Sequence, residues 1–103
     1  MEIFYLQYEA SPTIESDIYN DVGGAYINCW IKTDSLQSAM KIAEKDIKNN
    51  RWVVHNLEDL GSVTNDNYDE DDNALEYYQQ ALMDGEVYVY HSWPNEQQDG
   101  EVH

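Results

Sequence analysis

The sequence predicts an α+β domain. It reads as a two-layer sandwich: a mostly antiparallel sheet of 4–5 strands with two helices on one face. Three observations carry this. Period-two alternation recurs at 2–9, 25–32, 52–57 and 86–93. Apolar residues fall at helical spacing in two other segments, 36–47 and 75–82. Clusters of Asn, Asp, Gly and Pro separate these runs. The element order is β-β-α-β-(β)-α-β. With a strand at Ser62–Thr64, residues 25–93 would spell the split βαβ pattern of a ferredoxin-like variant with one extra strand.

In the first strand Phe4, Leu6 and Tyr8 face one way, Ile3 and Tyr5 the other. Residues 10–24 hold Pro12 and the pair Gly23-Gly24 and read as a loop. In 25–32, Ala25, Ile27, Cys29 and Ile31 alternate with Tyr26, Asn28, Trp30 and Lys32. Asp34 with Gln37 makes a capping box. Leu36, Ala39, Met40, Ala43 and Ile47 then form one apolar stripe, and Lys48 suits the negative end of the helix dipole. Trp52–Leu57 is a strand, with a turn at Glu58–Gly61 as one continuation. Asn73 and Glu76 repeat the capping box, Leu75, Tyr78, Ala81 and Leu82 form a stripe, and Gly85 is the expected C′ residue. Residues 86–93 are the last strand, stopped by Pro94. One domain covers 1–94, and 95–103 is a polar, mobile tail.

All five basic residues lie between Lys32 and Arg51, against 21 acids spread along the chain, for a net charge of −16. Such a field repels nucleic acid and anionic membrane and attracts basic protein surfaces. Aromatic strands resemble a base-stacking platform, but phosphates need bases to meet them, and the strands supply only Lys32 and Arg51. The N-terminus lacks a basic region and an apolar run, so no signal peptide is expected, and no stretch is apolar enough to span a bilayer. The single cysteine, Cys29, excludes an internal disulfide and fits a reducing cytoplasm.

No catalytic or metal motif appears. Asp69 read as the first position of an EF-hand loop puts Ala74 where Gly is required and Gln80 where a bidentate Glu is required. His55, His91 and Cys29 lie on three strands without any short-range ligand pair. Neither a nucleophile elbow, a phosphate loop nor H-E-x-x-H is present. No enzyme, cofactor or metal is expected.

The expectation is a small acidic protein-binding domain. Its most concrete form is an inhibitor or immunity-type protein that covers a basic surface of a toxin or nuclease. The expected contacts are Asp66, Tyr68, Asp69, Glu70 and Asp71 in the acidic run, and Glu15, Asp17, Tyr19 and Asp21 in the first loop. The second reading is a self-associating structural or regulatory domain, a homodimer through an uncovered sheet face bearing Trp30 and Tyr88.

Overall fold

Period-two alternation builds β1, Glu2–Pro12, and the core of β2, Val22–Thr33. The computed structural model describes residues 1–95 of the 103-residue chain. The two strands pair antiparallel from Glu2↔Thr33 to Ala10↔Ala25, so only residues 13–21 form the first connection. Gly23 and Gly24 are therefore strand residues. Trp93 explains them: a Cβ on Gly24 would lie 2.5 Å from its ring.

Helix α1 spans Leu36–Asn49. Its cap is Ser35 and not Asp34, with Oγ accepting the Ser38 N–H at 3.1 Å. Ala39, Ala43 and Ile47 are its buried stripe, as the spacing predicts. Past its end Arg51 adopts φ 68°, the left-handed conformation that glycine usually supplies. Arg51 N–H donates to Lys48 O at 3.0 Å, and its Nη1 reaches Glu15 O at 3.2 Å, tying down the first connection.

Strand β3 runs without interruption over Trp52–Val63. Glu58–Gly61 is thus no turn and Ser62–Thr64 no separate strand. The whole length pairs with β1, with register shifts near Gln7/Tyr8 and Glu9/Ala10 absorbing the irregular residues. The ferredoxin-like β-α-β-β-α-β succession is therefore not formed. A 3₁₀ turn at Asn65–Asn67 leads through Tyr68 to α2, Asn73–Asp84. Asp72 caps α2, its Oδ1 accepting the Ala74 N–H at 2.9 Å. Gly85, φ 93°, closes it and feeds β4, Glu86–Pro94.

The result is α+β: four antiparallel strands in the order β3-β1-β2-β4, and two helices. The expectation that both helices share one face does not hold. α1 packs on Phe4, Leu6, Tyr8, Ile27, Cys29 and Ile31. α2 packs on Ile3, Trp30 and Val87, which the alternation points the opposite way. Each helix thus makes its own two-layer packing with one side of the sheet. Leu82, expected on the buried stripe of α2, is 42% exposed.

Trp30 is only 2% exposed beneath α2, and Tyr88 sits half-buried on the α1 side. The aromatic face expected to mediate self-association is thus not a surface at Trp30, and the two residues do not share a face. On the α1 side, Trp52 and Tyr90 meet with ring centroids 5.3 Å apart, across the small pair Ala10↔Ala25. Asn95 donates its N–H to Asp21 O at 3.1 Å, which fastens the end of β4 to the first connection. The rest of the expected tail, 96–103, lies outside the described residues.

Candidate functional site

The sheet side that carries α2 is only partly covered. α2 runs back along β4 from the middle of the sheet, leaving Gln7, Glu9, Tyr26, Asn28, His91 and Trp93 on the open half. The cap of α2 stands at the border. Here the chain forms a cleft of 320 Å³, walled by Tyr5, Trp30, Tyr68 and Tyr77, with Asn28, His91 and residues 72–74 around them.

The walls are fixed by packing and hydrogen bonds. Trp30 lies at the bottom, with the Tyr5 and Tyr77 rings each 5.2 Å from it at 54° and 39°. The Trp30 indole N–H donates to Tyr68 Oη at 2.9 Å. Tyr68 in turn packs on Tyr78 at 5.8 Å. Tyr5 donates its hydroxyl proton to Asn28 Oδ1 at 3.1 Å, and Gln7 Nε2 donates to the same oxygen at 3.0 Å. Burial, then the Asp59 carboxylate, pushes the Tyr5 phenol up to about 12. Burial raises Tyr68 as well, with the Trp30 hydrogen bond opposing. Both rings therefore stay neutral at physiological pH.

Around this cleft the charge has one sign. Asp66, Asp69, Glu70, Asp71 and Asp72 are all exposed, and Glu9 and Asp59 lie on the same side of the sheet. Three of the lysines ride on α1 across the sheet, and Arg51 is in the turn after it. Only Lys32 lies on the α2 side. Its Nζ donates to Leu82 O at 3.1 Å, at the opposite end of α2 from the cleft.

The expected site residues thus divide into two groups. Asp69–Asp71 stand beside the aromatic cleft, and Tyr68 is part of its wall as well as a packing residue. Glu15, Asp17, Tyr19 and Asp21 are exposed on the first connection, at the end of the sheet where β1 stops. Eleven strand residues of β1 put roughly 30 Å between that end and the start of the acidic connection. Beside the first connection a second cleft of 430 Å³ opens at Trp52, Val53 and Val54. Glu15 and Glu44 face Lys48 and Arg51 there, so this cleft favours neither sign of ligand.

Sequence reasoning did not single out Tyr5, Asn28 or Tyr77. Their alternation and spacing were visible, but what joins them is the choice of sheet face by α2. His55 and His91, considered with Cys29 as a zinc set, sit on the two opposite edge strands, and Cys29 faces away from His91. Burial pushes the Cys29 thiol far up, so it is no nucleophile. Among the described residues no three His, Cys, Asp or Glu side chains group as a metal site would need. No described helix is long and apolar enough to cross a membrane. Comparison of the chain with protein-family models, with curated proteins and with solved structures gave no match.

Proposed function

We propose that the chain is a small acidic protein-binding domain that works without catalysis in the cytoplasm. In its most concrete form it is an inhibitor or immunity-type protein that covers a basic surface of a toxin or nuclease. One observation carries the reading. The exposed acids of 66–72 border an aromatic cleft, on a side of the sheet where Lys32, the one lysine or arginine, is committed elsewhere. Such a surface has the anatomy of a binding site: buried aromatic anchors inside a charged rim. The rim steers a basic partner to the cleft, and the anchors supply most of the affinity. This reading centres the contact on Tyr68, Asp69, Glu70 and Asp71, with Asp66 at the margin. Glu15, Asp17, Tyr19 and Asp21 become a separate, secondary surface.

The test is capture and inhibition together. Immobilised chain should retain a basic protein at about 0.05 M salt and release it near 0.5 M, where the Debye length falls to a few Å. The retained protein is then assayed for nucleic-acid cleavage or cell killing, with and without the chain. Retention that ignores salt, or a retained activity that the chain leaves untouched, overturns the reading.

A further inference from the structure

We propose that the cleft at the start of α2 is a socket for one cationic side chain of the partner, with arginine as its best occupant. The inference deepens the protein-binding reading and rests on it. Tyr5 and Tyr77 each pack tilted on Trp30, at 5.2 Å, and both line a hollow of 320 Å³. Ring faces carry negative quadrupole density, so a cation against them is attracted, and more strongly as water is excluded. A guanidinium is planar, stacks on such faces and is more weakly hydrated than an ammonium, which favours arginine over lysine.

The mouth of the cleft has the matching sign. The positive end of α2 amounts to about half a unit charge. Four consecutive carboxylates, Asp69 to Asp72, outweigh it. Asp72 lines the cleft and keeps its charge while its Oδ1 caps the helix, and the three acids before it add to the field at the mouth. The walls are preorganised. The Tyr5 hydroxyl is held by Asn28, and Trp30 by Tyr68, so little side-chain freedom is lost when the socket fills. An anionic occupant is excluded by the same carboxylates. A neutral apolar one would gain nothing from them.

The probe is N-acetyl-arginine methylamide, titrated into the ¹⁵N-labelled chain while the indole N–H signals are followed. The citrulline analogue, equal in shape and uncharged, is the control. The Trp30 indole signal should shift and saturate at millimolar probe, with Trp52 and Trp93 unmoved. Citrulline should bind about tenfold more weakly, the span expected of a cation–π contact. Tyr77→Leu should weaken the probe about three- to tenfold. The triple surface change Asp69→Asn, Glu70→Gln, Asp71→Asn leaves the wall intact, and should weaken it about threefold at low salt.

Absence of a Trp30 shift, equal binding of citrulline, or affinity unaltered in both variants would overturn the socket. The two readings fail separately. A chain that captures a basic protein but ignores the arginine probe loses the socket and keeps the protein-binding function. One that binds the probe but captures no basic protein keeps the socket and loses that function.

Discussion

Replacing Gly24 by alanine tests how the open half of the sheet is built. The new Cβ would lie 2.5 Å and 2.9 Å from two Trp93 ring carbons, and 2.9 Å from the backbone oxygen of Ala10. The backbone oxygen belongs to the central β1–β2 pair and cannot retreat, so Trp93 must leave. Overpacking of this kind costs about 1–3 kcal/mol. Displacing Trp93 also breaks its contact with Tyr26, whose ring centroid is 5.2 Å away, for about 0.5–1.5 kcal/mol more. Alanine returns about 0.5–1 kcal/mol by restricting the unfolded chain. The net expectation is a loss of about 1–3 kcal/mol, or a fall in Tm of roughly 4–24 °C, at about 4–8 °C per kcal/mol for a domain of this size. Gly61→Ala is the internal control. Nothing lies within 4 Å of a Cβ there, so the same change should be neutral or stabilising by about 0.5–1 kcal/mol. Urea unfolding of both variants, followed by tryptophan fluorescence, decides the matter. Equal stability of the two variants would refute the argument that Trp93 fills the space above the glycine pair.

Asp72→Ala removes the α2 cap and should cost about 1 kcal/mol in urea unfolding, with the change largest in amides of the first turn of α2. The triple change Asp69→Asn, Glu70→Gln, Asp71→Asn should leave the fold intact or slightly more stable while weakening capture of the basic partner, and undiminished capture would move the contact to Glu15, Asp17, Tyr19 and Asp21. At alkaline pH the chain should lose stability as its tyrosines ionise. Burial raises Tyr5 and Tyr90 from 10.0 to about 12 in the folded state, so their contribution is complete below pH 10 and is lost as pH climbs from 10 toward 12. The urea midpoint should fall over that window as tyrosinate absorbance rises, and a midpoint flat to pH 12 would contradict it.

Local patterns were legible in the sequence and long-range choices were not. The α1 stripe of Leu36, Ala39, Ala43 and Ile47 follows from spacing alone. Its cap was misplaced by one residue because Asp34 and Ser35 are both good caps, and backbone geometry decides between them. Residues Glu58–Gly61 have turn composition, yet they stay in β3 because pairing with a central strand overrides local preference. Alternation divides Trp30 and Val87 from Ile31 and Tyr88, but says nothing of which helix covers which set. The cleft was hidden for that reason: Tyr5, Trp30, Tyr68 and Tyr77 come from four segments that only the placement of α2 brings together.

The division of the interior by the sheet has a dynamic consequence. The α1 side buries twelve side chains, from β1, β2, β3 and the helix, whereas the α2 side buries five, Ile3, Trp30, Tyr78, Ala81 and Val87, within a ring of half-buried neighbours. With no core shared between the helices, α2 and its leading connection are expected to open while the sheet and α1 stay folded. Native-state hydrogen exchange should therefore resolve two cooperative units, with α2 amides opening at a lower free energy than those of β1, β2 and α1. The aromatic cleft lies between the two units: Tyr68 and Tyr77 belong to the weaker one, Tyr5 and Trp30 to the sheet. Whatever fills it also latches the weaker unit shut, so occupancy should slow exchange throughout α2 and leave the α1 side unchanged.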